Sequence, residues 1–354
     1  MIDGQMLPDA PDAKPGTKCF GSIALDNVCW DDTMVPSGDK AFNGTLGALD
    51  TASSSSCNRM AMTNPDMPCV VAAGSIEINT NLRVIGMNGI VFVATTGDIT
   101  IASGATIDAS GVDVNPTQGA GARTTCSGTT APEGKAGGFG GSFVDPGGNG
   151  GKSADNNNHN GGVAATVLMT DSIHGGCPGG KGGEQGGCNA PGVAGRSGGA
   201  IVLIAKVGKI QLDGAVLAYG EHGTGATDQE CGGGGGAAGG LVVLDSMTIT
   251  GSGEVNVKGG AGGGGTGGTI PGGDGHDGLD GSDRALDGSA GSDNTSGGDG
   301  GHGGPHDPMM RNKAGSDASG ESGVDAVGDG GGGGGGGASG VVITTSTPNG
   351  ITGL

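Results

Sequence analysis

The sequence predicts an all-β fold: a short parallel β-helix, or solenoid, of about four three-strand rungs, carrying long glycine-rich insertions and essentially no α-helix. Three observations predict it. Apolar residues gather in blocks of strand length, the blocks recur in the same order of three, and glycine dominates what lies between. Glycine supplies 88 of the 354 residues and proline 15. Each glycine costs a helix interior ~1 kcal/mol and each proline ~3 kcal/mol, so few stretches sustain a helix. Collagen is excluded as well, since glycine does not hold every third position for long and proline is scarce.

Residues 1–18 read as a tether. The Pro/Asp/Ala-rich stretch 7–16 reads as extended and solvated, and 1–16 lacks the basic start and apolar core of a secretory signal, as expected of a mature exported form or of a truncated chain. A cysteine-stapled cap follows over 19–68. The solenoid then occupies 69–346, and 347–354 form a tail. Its first unit comprises blocks at 69–73, 75–79 and 82–85, closed by Gly86. The second has 90–94, 98–102 and 105–109, and the third 200–205, 209–213 and 215–219. The fourth has 241–245, 247–250 and 254–258, and a last strand returns at 341–345.

The second and third blocks of each unit mostly alternate apolar with polar, the period of a strand with one buried face. The residues expected inward are Ile76, Ile78, Ile99, Ile101, Ile107, Ile210, Leu212, Val216, Ile249, Val255 and Val257. Gly97, Gly104, Gly208 and Gly214 are expected to turn the corners with positive φ. The first block of each unit is apolar nearly throughout, as in strands covered on both faces.

Three insertions, at about 110–199, 221–240 and 260–339, leave from one corner, between a third block and the next first block, and offer that cover. The runs 232–236, 262–265 and 330–337 suit extended polyproline-II-like helices, whose amides must pair with neighbours. The expectation is a bundle of such polyglycine-II helices beside the coil; mobile low-complexity loops are the alternative.

The net charge is −20, with five phenylalanines, Trp30 and Tyr219. That argues against nucleic acid, which needs a basic face and usually stacking rings. No apolar run approaches the ~18 residues of a membrane-spanning helix. The eight cysteines, Cys19, Cys29, Cys57, Cys69, Cys126, Cys177, Cys188 and Cys231, form no CxxC pair and sit far apart in loop-like surroundings. They read as disulfides in an oxidising compartment. Local closure favours Cys19–Cys29 and Cys57–Cys69; the rest stay open.

Catalytic patterns occur at the frequency that glycine content dictates. Around Ser197 the sequence matches G-x-S-x-G without the strand–helix context that an elbow requires. Lys152-Ser153 resembles the end of a P-loop, but Pro146 stands at the first glycine position; near Lys181 the pattern fails at Gly182. His302 and His306, with His276 and Asp307 nearby, lack the spacing of a zinc motif. The stretch 272–280 fits one calcium-binding nonapeptide, with Asp274, Asp277 and Asp280 as the candidate ligands, but the tandem copies that complete such shells are missing. No other cofactor is implied. A polysaccharide-active enzyme would need converging carboxylates, and Asp108 and Asp213 are the two that the repeat brings nearest.

Several features together resemble the glycine-rich predicted secreted lipoproteins of myxobacteria and related bacteria. They are the Pro-Asp-Ala-Pro-Asp-Ala tether, Cys19-Phe20-Gly21 with Val28-Cys29, and strand blocks ending in Asp108-Ala109-Ser110-Gly111. His174-Gly175-Gly176-Cys177-Pro178 and the Gly-Ala-Ser-Gly-Val-Val ending at 337–342 complete the set. The likeness covers nearly the whole chain. It implies an extracellular or outer cell-surface location, a lipid anchor in the full-length precursor, and no known activity or functional residues. The glycine tracts alone are similar to the polyglycine-II tips of some phage tail-fibre adhesins.

The function expected is therefore a non-enzymatic extracellular structural protein of the cell surface or matrix, self-associating into filaments through the edge at 341–345. The alternative is an adhesin that meets cells or glycans through its glycine-rich loops, and a polysaccharide-active enzyme ranks below both.

Overall fold

The computed structural model describes residues 16–22, 28–44, 47–58, 67–111, 118–154, 159–165, 172–184, 188–267, 298, 300–301, 326 and 330–353. β1 (Thr17–Phe20) and β2 (Val28–Asp31) form an antiparallel hairpin, followed by β3 (Lys40–Phe42) and β4 (Leu49–Asp50). Triplets then succeed one another. The first two are β5 (Cys69–Ala73), β6 (Ile76–Ile78), β7 (Asn81–Ile85), then β8 (Ile90–Ala94), β9 (Ile99–Ile101), β10 (Thr106–Asp108). The next two are β11 (Ala200–Ala205), β12 (Ile210–Leu212), β13 (Ala215–Leu217), then β14 (Leu241–Ser246), β15 (Ile249–Thr250), β16 (Glu254–Asn256). β17 (Val341–Thr344) comes last. Among the described residues the one helical element is a 3-10 turn at Asp32–Met34.

Each triplet sends one strand to each of three five-stranded parallel sheets, ordered β17-β14-β11-β8-β5, β15-β12-β9-β6-β3 and β16-β13-β10-β7-β4. The fold is all-β and fits a β-solenoid. The register stacks like on like. Ile76, Ile99, Ile210 and Ile249 form one inward ladder, and Leu82, Ile107, Val216 and Val255 another. All eleven residues expected inward are buried. β3 and β4, from the segment read as a cap, pair in parallel with β6 and β7. At the other end Asn349 and Thr352 make parallel bridges to Thr250 and Glu254, so the tail continues the winding.

Strands β5, β8, β11 and β14 of the first sheet are buried on both faces, whereas β17 at its end is buried only at Val341. Val71, Phe92, Leu203 and Leu244 point into the coil, whereas Val70, Val91, Val93, Val202, Ile204 and Val243 belong to a second core outside it. Phe20, Val28 and Trp30 of the hairpin and Phe143, Ile173 and Ala238 of the insertions complete that second core. The apolar first blocks are thus explained by a cover that the chain itself supplies.

The corners differ from expectation. Gly104 has φ 79°, but Gly97, Gly208 and Gly214 are not left-handed. Gly208 and Gly214 are glycine for want of space: a Cβ on Gly208 would lie 2.1 Å from the Gly97 carbonyl oxygen, and one on Gly214 2.1 Å from that of Ala105. Carboxylates hold the corners from outside. Asp39 Oδ1 accepts from the Ser75 amide (3.0 Å), Asp98 Oδ1 from Lys209 (2.9 Å) and Asp213 Oδ1 from Ser252 (3.1 Å), in each case bridging to the next winding. The N-terminal edge of the first sheet is sealed too. The Asn58 amide donates to the Val70 carbonyl (2.6 Å) and its Oδ1 accepts from the Ala72 amide (2.7 Å), next to the Cys57–Cys69 disulfide.

Candidate functional site

The insertions build an ordered lattice of extended glycine tracts, with 231–238 at its centre. Its donors leave with a period of three. Gly232 and Gly235 donate to the carbonyls of Gly183 and Gly180, Gly233 and Gly236 to those of Gly332 and Gly335, and Gly234 and Ala237 to those of Thr224 and Glu221. Its carbonyls follow the same rule. Gly232 and Gly235 accept from Gly192 and Gly195, Gly233 and Gly236 from Gly138 and Gly141, and Gly234 and Ala237 from Gly263 and Gly260. The distances run from 2.8 to 3.3 Å.

Six tracts therefore surround one, and they also bond to each other around the ring: 135–141 to 179–183, then 192–196, 221–226, 260–266, 331–338 and back. A three-residue period without internal hydrogen bonds is the geometry of polyproline II. For six consecutive buried residues every backbone donor and acceptor has a partner, as burial demands. The hydrogen-bond pattern is compatible with packed polyglycine-II helices.

Glycine is required here by space rather than by φ, since none of 231–240 is left-handed. A Cβ on Gly235 would sit 1.8 Å from the Phe139 carbonyl oxygen, and on Gly233 2.0 Å from that of Gly263. In the surrounding tracts glycine recurs at every third position in short G-x-y runs: Gly137 and Gly140, Gly176, Gly179 and Gly182, Gly192, Gly195 and Gly198. Cβ atoms on Gly179 and Gly182 would lie 2.1 and 2.0 Å from the carbonyl oxygens of Gly235 and Gly232. This triplet signal was present in the sequence, in runs too short to read as collagen.

Side chains close the margins. Thr224 Oγ1 accepts from the Val193 amide (2.7 Å). Glu221 accepts from the Arg196 amide (3.0 Å) and holds its guanidinium through Nε (2.7 Å) and Nη2 (2.8 Å). At the entrance to the central tract, Cys188 is bonded to Cys231, Lys135 pairs with Glu230, and Thr266 Oγ1 accepts from the Cys231 amide (3.0 Å). Glu230 (φ 53°) is the one non-glycine residue in the left-handed region among those described. Asp228 Oδ2 takes the Asn189 amide (3.0 Å) and Nδ2 (3.2 Å).

All eight cysteines are paired. Cys19–Cys29 and Cys57–Cys69 are the local closures expected, and Cys126–Cys177 and Cys188–Cys231 are the two the sequence left open.

Hydrogen bonds hold two carboxyls below the usual aspartate range: Asp213, chiefly through Gln211 and the Ser252 amide, and Asp228, through the Gln229 and Asn189 amides. A carboxyl with a depressed folded value binds protons more readily when unfolded. Its contribution is present at neutral pH and is lost as pH falls through the folded value. The thermal midpoint is expected to be flat down to about pH 4 as far as these two groups are concerned, then to fall. Asp213→Asn together with Asp228→Asn should blunt the fall in a pH series of melts.

The enzyme-like patterns come apart. Asp108 meets Arg83 (2.9 Å) and is flanked in its ladder by Arg83 and Leu217, while Asp213 lies in the turn before β13. They make no carboxylate pair. Ser197 is fully buried, its Oγ donating to the Arg123 carbonyl (3.3 Å). Ser153 is buried and lies outside any helix among the described residues, and Lys181 pairs with Glu184. Asp274, Asp277, Asp280, His276, His302, His306 and Asp307 lie outside the described residues. Among the described residues no three His, Cys, Asp or Glu side chains gather as a metal site, and no helix is long and apolar enough to cross a membrane. A groove of about 460 Å³ beside the hairpin is lined by Thr17, Cys29, Trp30, Asp31, Met34, Pro36 and Asn58.

No protein-family model, curated protein or solved structure matches this chain.

Proposed function

We propose that the chain is a non-enzymatic, extracellular structural protein of a bacterial cell surface or matrix, serving as a stiff body rather than as a display of mobile loops. The observation that carries this reading is the lattice: the described tracts of insertions with the composition of disordered linkers are hydrogen-bonded through their backbones and stapled by two disulfides. Disulfides of this kind persist outside the reducing cytosol, and the resemblance to secreted lipoproteins agrees with that location. Asn58 covers the N-terminal edge of the first sheet at β5, so end-to-end stacking of coils there would have to displace it.

A second reading, a binding module, rests on the groove beside Trp30. Two measurements separate them. Immunogold labelling of the source cells is expected to decorate the outer surface, and the purified chain is expected to leave Trp30 fluorescence unchanged across a glycan panel. Cytoplasmic label would overturn the extracellular reading. A saturable fluorescence change would replace the structural role with the adhesin.

A further inference from the structure

Five Asn-Gly steps lie in the chain, at Asn43, Asn88, Asn149, Asn160 and Asn349. Such a step carries its own reagent: the glycine backbone nitrogen can attack the asparagine Cγ, and no side chain on the glycine obstructs the approach. Folding disarms most of them. Asn88 is buried, 4% exposed, and its amide donates to Thr51 Oγ1 (3.3 Å). Asn149 Oδ1 accepts from the Ala164 amide (3.0 Å), and the following Gly150 amide is committed to the Gly162 carbonyl (2.9 Å). Asn160 donates to Glu133 Oε2 from its amide (3.2 Å) and its Nδ2 (3.3 Å), and Asn43 Oδ1 accepts from Asn79 Nδ2 (2.9 Å). Asn349 differs. It and Gly350 are exposed, and neither the Asn349 side chain nor the Gly350 amide has a hydrogen-bond partner among the described residues.

The backbone at this step holds the tail to the last winding. The Asn349 amide donates to the Ile249 carbonyl (3.1 Å), and the Asn349 carbonyl accepts from the Gly251 amide (3.2 Å). Three residues on, Thr352 covers the outer edge of β16: its amide donates to the Gly253 carbonyl (3.0 Å) and its carbonyl accepts from the Val255 amide (3.0 Å). Between the two anchors Ile351 packs against the core of the coil. Gly350 makes the connection with φ 79°, and a Cβ there would lie 2.4 Å from the Gly251 carbonyl oxygen. The link between the anchors therefore has little slack.

We propose that Asn349 is a site of spontaneous deamidation that releases the tail from the end of the coil. The Gly350 nitrogen gives up its proton to solvent and bonds to Asn349 Cγ, and the side-chain nitrogen leaves as ammonia. Water then opens the cyclic imide at either carbonyl, so no reagent beyond solvent is needed. Opening at the α-carbonyl routes the main chain through Cβ and Cγ, one carbon longer, and leaves a carboxylate beside the Gly251 amide. The lengthened link no longer matches the spacing of β15 and β16, and Thr352 comes away from Val255. Peptide mapping of the intact chain aged at mildly alkaline pH, with isoaspartate resolved from aspartate, tests the chemistry, and hydrogen-exchange mass spectrometry tests the consequence. Asn349 is expected to convert about tenfold or more faster than Asn88, Asn149 and Asn160, which react only through local opening, with isoaspartate among the products. Protection of segment 253–257 is expected to fall about tenfold in the isoaspartate fraction of the aged wild type. It should stay unchanged in aged Asn349→Gln, whose longer side chain closes the ring poorly, and in fresh Asn349→Asp, which adds the charge without the extra carbon. Conversion of Asn349 no faster than that of the three held asparagines, full protection of 253–257 in the isoaspartate fraction, or an equal loss in fresh Asn349→Asp would overturn the proposal.

Discussion

Gly235→Ala is expected to cost about 3 kcal/mol or more, although it adds a single methyl group. The new Cβ would stand 1.8 Å from the Phe139 carbonyl oxygen. That atom is backbone, and it belongs to a tract that also accepts the Gly180 amide, so it cannot move without opening a second hydrogen bond. The substitution should therefore separate the central tract from its neighbours rather than bend a side chain. Gly38→Ala is the control. No atom lies within 4 Å of its Cβ and its φ is not left-handed. There the smaller entropy of the unfolded chain should leave stability unchanged or raised by up to ~1 kcal/mol. Urea denaturation of both variants checks the contrast, and equal midpoints would mean that the close packing of tracts does not exist in solution.

Removing the Cys188–Cys231 bridge, as the double alanine variant, should destabilise by about 4 kcal/mol on the chain-entropy view. The bridge closes 43 residues, against 10 for Cys19–Cys29, whose loss should cost about 3 kcal/mol. Position adds to the difference. Cys231 opens the central tract and its amide and carbonyl are both taken by Thr266, whereas Cys19 and Cys29 face each other across the hairpin alone. Differential scanning calorimetry should show the larger fall in midpoint for the 188–231 variant. A melt indistinguishable from wild type would show that this staple does not hold the lattice.

The coil was legible because its repeat is written in side chains. Isoleucine and leucine at alternate positions of 76–78, 99–101 and 210–212 announce an inward face, and the structure stacks them in register. The double burial of the first sheet was legible for the same reason, from first blocks apolar on both faces. The corners were misjudged because a glycine admits two causes. At Gly208 and Gly214 the absent Cβ matters and the backbone angle does not, a distinction that depends on a neighbouring winding about 5 Å away. The lattice is written in backbone hydrogen bonds, so composition suggested it but could not say which tract meets which. Cys126–Cys177 and Cys188–Cys231 were hidden behind the same missing information, since their partners meet only once the tracts are assembled. Asn58 gave no signal at all: one side chain standing in for a strand has no periodicity.

The most direct test of this account is amide hydrogen exchange of residues 231–238 at neutral pH. Those amides carry no helix or sheet of their own, yet each of six in a row has a carbonyl partner on a neighbouring tract. The account predicts exchange slowed by about a thousandfold or more relative to an unstructured chain, comparable to that of β11 and β14. Exchange of 231–238 at random-coil rates, with β11 and β14 still protected, would contradict it.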